Sequence, residues 1–170
     1  MDLNRLTSRS QQAVNDAASD AVGRGNPAVE PEHLLNALVS YPDGIAVAVL
    51  RASGVDVGTL LARAAAAVAA LPTATGAAVG QPQFSRPLFS VLQDAEAFAR
   101  SRNDDFISTE HLLVALAESG NRAAELLREV GTDADGLRAA IDSMRGDRRV
   151  TTQDPEATFE ALAKFGVDLT

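Results

Sequence analysis

The sequence predicts an all-α protein: two tandem, pseudo-symmetric four-helix repeats followed by a C-terminal linker helix. Three observations predict it. The first is a doubled stretch. Residues 30–38 read E-P-E-H-L-L-N-A-L and residues 108–116 read S-T-E-H-L-L-V-A-L, and they carry His33 and His111, the two histidines of the chain. The second is how far the match extends. At an offset of 78, Leu6 falls on Phe84, Thr7 on Ser85, Val14 on Leu92, Ala17 on Ala95 and Val29 on Ile107. After a one-residue deletion, Leu50 falls on Leu127, Gly54 on Gly131, Asp56 on Asp133 and Leu60 on Leu137. A match that long with a single gap is a tandem duplication. The third is periodicity. Apolar residues recur at helical spacing in both halves, and no apolar/polar alternation lasts long enough to suggest a strand.

Taken in order, Thr7 is the expected N-cap of a first helix reaching about Arg24, with Ala13, Val14, Ala17 and Ala21 on its apolar stripe and Gly23 and Gly25 ending it. Glu30-Pro31-Glu32 opens the second helix, with proline at the first helical position and carboxylates near the positive end of the dipole. A third helix runs from Ile45 to Ala52, and Asp56 caps a fourth that ends before Pro72. Residues 72–83 (P-T-A-T-G-A-A-V-G-Q-P-Q) lack both periodicity and charge and read as a flexible linker. The order then replays, with Ser85, Ser108 and Asp133 as caps and a short helix from Arg122 to Val130. The repeats thus occupy about 6–71 and 84–145 within a domain spanning 1–146. Residues 147–170 form a linker segment in which Asp154-Pro155-Glu156 starts one more helix, and the chain ends as if cut within a longer protein.

Composition narrows the function classes. The 170 residues are 46% hydrophobic but only 4% aromatic, so the core must come from closely packed helices with small side chains. The absence of cysteine leaves no disulfide framework and suits a cytoplasmic protein. A net charge of −8 argues against nucleic acid or an anionic membrane as partner. The Ala-rich run from Leu60 to Leu71 is too short to span a bilayer and is interrupted by Arg63.

Two repeated Glu-His pairs invite a metal-site reading. Neighbours on a helix point about 100° apart, so Glu32 and His33 do not converge on one ion, and no metal is expected. No nucleophile, base and orienting acid stand in a recognisable pattern either, so an enzyme is not expected.

The two E-H-L-L repeats, the opening M-D-L-N-R-L-T and the closing R-V-T-T-Q-D-P-E-A-T-F-E-A-L-A-K-F-G-V-D-L-T resemble the N-terminal domain of ClpB, the bacterial AAA+ protein disaggregases of the Clp family. The resemblance covers the whole chain. It implies two four-helix halves, a role in capturing exposed apolar segments of misfolded or aggregated client proteins, and an ATPase module beyond residue 170. No G-x-x-x-x-G-K-[ST] loop occurs here, so ATP and magnesium belong to that absent module and this chain needs no cofactor. The duplicated halves can bury Leu34, Leu35, Leu38 and Leu112, Leu113, Leu116 against one shared core, so the isolated domain is expected to be a monomer, and the resemblance implies a hexameric full-length protein.

Client-handling residues of such domains map onto Thr7, Asp104 and Glu110, expected to rim a shallow groove. In the ClpC relatives the repeated glutamates read phosphoarginine, and those map onto Glu32 and Glu110. Each has a purely structural reading beside it. Thr7 is a helix cap, and Glu32 and Glu110 are first-turn carboxylates that stabilise a helix by about 0.3–1 kcal/mol. Asp104 lies in the Asn103–Phe106 loop, where exposure is expected. The phosphoarginine or adaptor-docking alternative needs cations for the phosphate. None occurs between Pro27 and Leu50 around Glu32, or between Asn103 and Asn121 around Glu110.

Overall fold

The computed structural model describes residues 3–73, 82–118 and 120–145. After a 3-10 turn at Leu3–Arg5, the chain forms α1 (Ser8–Arg24), β1 (Ala28–Val29), α2 (Pro31–Val39), α3 (Ile45–Ala52) and α4 (Val57–Ala69). The second repeat forms β2 (Gln83–Phe84), α5 (Arg86–Ser101), α6 (Thr109–Glu118), α7 (Arg122–Glu129) and α8 (Ala134–Arg145). Thr7, Asp56 and Ser85 accept from the backbone N–H three residues on, as their N-cap positions demand. Asp133 does the same through Gly136 N–H at 2.8 Å. Gly23 lies inside α1, and the chain turns at Gly25 instead, whose φ of 71° is left-handed. Its counterpart one repeat later is Asn103, at φ 60°, the same turn made by the residue type that tolerates it next best.

The apolar stripes of both repeats meet in one core. Leu34, Leu35 and Leu38 of α2 are fully buried, as are Leu112, Leu113 and Leu116 of α6. Ala13, Ala17 and Ala21 on α1, and Ala95 and Ala99 on α5, are also buried and admit close helix approach. No single helix among the described residues is long and apolar enough to cross a membrane.

The absence of strands was an incorrect expectation. β1 and β2 pair in parallel, Ala28 with Gln83 and Val29 with Phe84, while an isolated parallel bridge joins Leu6 to Ile107. At the repeat offset these two pairings are equivalent, since Leu6 corresponds to Phe84 and Val29 to Ile107. Each repeat lends the residues before its first helix to those before the other repeat's second helix. The hydrogen bonds are Ser85 N–H to Val29 O (3.1 Å), Thr7 N–H to Ile107 O (3.0 Å) and Ile107 N–H to Arg5 O (2.8 Å). The halves are therefore interlocked rather than laid side by side. Pairings this short carry no alternation for a sequence pattern to reveal.

The predicted linker is also shorter than 72–83. Gln83 is in β2, and the Pro72 carbonyl accepts from Asn26 Nδ2 at 2.9 Å. Residues 74–81 and the helix expected from Asp154 lie outside the described residues.

Candidate functional site: two equivalent helix N-termini

The duplicated motif places a histidine at the third position of α2 and of α6, and both rings turn back over the helix start. His33 Nδ1 accepts from Glu30 N–H at 2.9 Å, and Nε2 lies 2.8 Å from Asn26 Oδ1. Because Asn26 Nδ2 donates to Pro72 O, its oxygen must face the ring, which makes Nε2 the protonated nitrogen. His33 is thus neutral with both nitrogens used, and burial holds its pKa below the ordinary 6.5. In repeat 2, His111 Nδ1 accepts from Ser108 N–H at 2.8 Å and Nε2–H donates to Asp104 Oδ2 at 2.7 Å. Both rings are fully buried, and Phe98 packs edge-on to His111 at 5.4 Å.

The second repeat differs from the first in charge. Asp104 stands where repeat 1 has Asn26, and its Oδ1 accepts from Arg145 Nη2 at 2.7 Å. Arg145 Nε lies 3.9 Å from Glu110 Oε2, and Ser108 Oγ donates to Glu110 Oε1. Ser108 therefore spends its hydroxyl on Glu110, and its own N–H is taken up by His111. Burial alone would lower the Arg145 pKa. The hydrogen bond to Asp104 and the charges of Glu110 and Asp104 more than offset this, leaving the guanidinium firmly protonated.

The groove rim expected of Thr7, Asp104 and Glu110 is not an open surface in this structure. Thr7 is 0% exposed, Asp104 3% and Glu110 3%. The loop exposure expected for Asp104 fails because two side chains donate to it, His111 from the helix that follows the loop and Arg145 from the end of α8. The structure does bring Asp104 and Glu110 together on Arg145. Thr7 sits beside them through its bond to Ile107, and its hydroxyl donates to Ser10 Oγ at 3.0 Å.

Glu32, the counterpart of Glu110, is only 8% exposed yet lines a pocket of about 420 Å³ between α4 and α7. Ala66, Ala67, Ala70 and Leu126 supply apolar lining, and Arg63, Arg122 and Glu129 supply charge. Arg63 and Arg122 each bind Glu129, at 2.8 and 2.9 Å. Burial raises the Glu32 pKa above 4.5, Glu30 adds to this, and the helix backbone and Arg122 counter it. The local sequence holds no cation near either glutamate; Arg122 and Arg145 reach them through the fold. The one sequence signal for them is a mismatch between the repeats, since Ile45 stands opposite Arg122 and Val68 opposite Arg145.

Residues 5–130 match the Clp repeat (R) N-terminal domain model. Chaperone protein ClpB of Corynebacterium diphtheriae is 44% identical over 164 residues, which are 96% of this chain and 19% of that protein. ClpB of Mycobacterium tuberculosis is 41% identical over 170 residues, 100% of this chain and 20% of that protein. The chain spans about a fifth of the length of the curated relatives it matches. Among solved structures, the Hsp104 N-terminal domain from Candida albicans superposes with a TM-score of 0.78 at 18% identity, covering 89% of this chain and 98% of that one. A complex of the ClpV N-domain with a VipB peptide gives a TM-score of 0.68 at 23% identity, covering 87% and 91%. At those identities the structures speak for the fold alone, and the sequence relatives speak for the family. This chain belongs to the Clp repeat N-terminal domain family, and the sequence relatives it matches are ClpB chaperones.

Proposed function

We propose that this domain captures exposed apolar segments of misfolded or aggregated proteins and passes them to the ATPase of a ClpB-type disaggregase. The observation that carries the reading is the Glu32 pocket. Its lining is largely alanine and leucine, and it holds a covered carboxylate whose ionised form the fold does not favour. A group serving only to stabilise a helix start would gain most where its charge is solvated or paired. An apolar side chain of an extended client fits such a lining, and a donor on the client would satisfy Glu32. Affinity is weak, in the micromolar range or worse (about −8 kcal/mol), because the client loses conformational freedom on capture. Thr7 contributes by holding the seam between the repeats through Ile107, and Asp104 and Glu110 by fixing the end of α8 through Arg145. On this reading residues 147–170 lead to the ATPase module, where ATP and magnesium act. The domain alone is a monomer, and the full protein is a cytoplasmic hexamer.

A second reading, recognition of arginine-phosphorylated clients or adaptor docking through Glu32 and Glu110, gains from Arg122 and Arg63. These supply near Glu32 the cations that the local sequence lacks.

Chemical-shift mapping of an unfolded model protein onto the domain tests both. The capture reading expects perturbations around Ala66, Ala67 and Leu126, and several-fold weaker binding in Ala67→Trp, which fills the pocket. Binding that is unchanged in Ala67→Trp overturns it. Binding that requires arginine phosphorylation and is lost in Glu32→Ala favours the second reading.

A further inference from the structure

α4 and α8 close the two repeats and correspond residue by residue, yet their outer faces differ. On α8 the face carries Asp135, Arg138 and Asp142, and each pairs within the molecule: Arg138 with Asp135 and Glu118, and Asp142 with Arg102. On α4 the same positions hold Gly58, Leu61 and Ala65, and Leu61 is 36% exposed. Arg63 is the one charged residue of α4. A second cavity, of about 680 Å³, lies along this bare face beside Gly58, Thr59 and Ala62. Arg63 and Ala66 line both it and the Glu32 pocket, so the two are neighbours along one helix.

We propose that the two cavities are one trough along α4, and that it binds an extended, uncharged segment of an unfolded polypeptide running from Glu32 to Thr59. The proposal deepens the capture reading and rests on it: it adds the subsite at Thr59 and Ala62 and gives the chemistry and conformation of the client.

Three features support it. The first is length. α4 spans 13 residues, about 20 Å at the rise of a helix, which matches about six residues of extended chain. The second is the polar group at the deep end, which calls for a strand rather than a helix. Glu32 is nearly covered, and no other side chain among the described residues bonds to it. An extended backbone brings N–H groups that lack a partner, whereas a helix interior has already spent its own. The third is the slight barrier between the cavities. Arg63 reaches Glu129 of α7 at 2.8 Å, and both side chains are exposed, so joining the cavities takes rotamer changes and no movement of a helix. The segment is uncharged because the lining beyond Arg63 is Gly58, Thr59 and Ala62, and Asp56 at its end is already engaged as the α4 cap.

The test is a titration of the 170-residue chain with a capped ten-residue peptide of valine, alanine and glutamine, followed through backbone amide signals. Ala62→Glu places a charge on the exposed face of α4, and Ala139→Glu places one at the equivalent exposed position of α8. The expected result is shifts at Thr59, Ala62 and Ala66 in the parent. Binding should be weaker by roughly fivefold or more in Ala62→Glu, whose carboxylate the client would cover, and unchanged in Ala139→Glu. Equal binding by parent and Ala62→Glu overturns the trough, as does equal weakening in both variants. Tighter binding of a stapled, helical peptide of the same composition overturns the extended occupant. An Ala62 signal that moves with protein concentration alone means that a second copy covers the face, and overturns the proposal too. Should Ala62→Glu not fold, the parent decides: Thr59 and Ala62 signals unmoved by saturating peptide overturn it. Weakening in Ala67→Trp with none in Ala62→Glu removes the trough alone and keeps the capture reading. Peptide binding along α4 without binding of an unfolded protein leaves the trough standing and removes the capture reading.

Discussion

The N-termini of α2 and α6 share a sequence motif, a backbone path and a histidine hydrogen-bonded back over the first turn, yet the partner of the histidine's outer nitrogen is a neutral amide in one and a carboxylate bound to an arginine in the other. In repeat 1, Asn26 satisfies His33 with a carbonyl oxygen and passes its own N–H to the Pro72 carbonyl. In repeat 2, Asp104 satisfies His111 and Arg145 together, with Glu110 close by. Duplication has kept the element that makes the helix start and changed what surrounds it. The backbone bond to His Nδ1 is the same, at 2.9 and 2.8 Å, because it depends only on residues within the motif. The outer partners differ because they come from other parts of the chain.

That contrast can be broken by mutation, and the largest effect belongs to its charged side. Asp104→Ala should cost about 3–5 kcal/mol in urea unfolding, because Arg145 and the His111 Nε2–H lose a common acceptor inside the protein. This replaces the small effect that loop exposure would have implied. Asn26→Ala should cost less, about 1–3 kcal/mol, since only neutral groups are orphaned. Equal costs would erase the distinction between the repeats.

Next come the leucines the two repeats share. Leu34→Ala and Leu112→Ala should each cost about 2–5 kcal/mol, as buried leucines do, and by similar amounts. A cost below about half a kcal/mol for either would mean that its helix is not part of the core.

The pH dependence should report on the histidine of repeat 1. The folded-state pKa of His33 lies below its unfolded value of 6.5, so its contribution is complete above that pH. As pH falls below 6.5 the unfolded chain takes up a proton that the folded one refuses, and stability declines by at most about 1.4 kcal/mol per pH unit until the folded pKa is reached. His33→Gln should flatten the stability profile between pH 6.5 and 5 in a thermal-melt series. An unchanged slope would show that His33 titrates normally.

The smallest effect concerns the glutamates. The Glu32 pKa is raised in the fold, so its ionised form is disfavoured there, and the penalty appears as pH rises through the folded pKa. Glu32→Gln should therefore raise the melting temperature slightly at pH 7 and make no difference at pH 4. Glu110→Gln should lower it, because Arg145 loses a neighbouring charge. Melting temperatures that move in the same direction for both variants would contradict the contrast between a Glu32 that lines a pocket and a Glu110 that lies beside Arg145.

Helix caps and core faces were legible because they depend on neighbours within a few residues. Thr7, Asp56, Ser85 and Asp133 cap where the sequence places them, and the helix from Ile45 to Ala52 appears with its expected ends. The repeat offset even paired Gly25 with Asn103, although nothing short of the backbone angles showed that both turn left-handed. The candidate site was half legible. Glu32, His33, Glu110 and His111 stand out as a doubled motif, and Asp104 sits at the right offset from Asn26. Their surroundings were not legible: Arg122 reaches Glu32 from ninety positions away and Arg145 reaches Asp104 from forty-one.

By itself, then, the sequence determined which segments are helical, which faces are apolar and that the chain is a duplication, since helix propensity, capping and periodicity act over one or two turns. Only the tertiary structure decided that the repeats exchange strands, that Thr7, Asp104 and Glu110 are buried, and that one glutamate opens onto a pocket while the other meets an arginine. Those outcomes depend on which distant groups packing brings within hydrogen-bonding reach, and burial then makes each such pairing obligatory, because a polar group removed from water must find a partner in the protein.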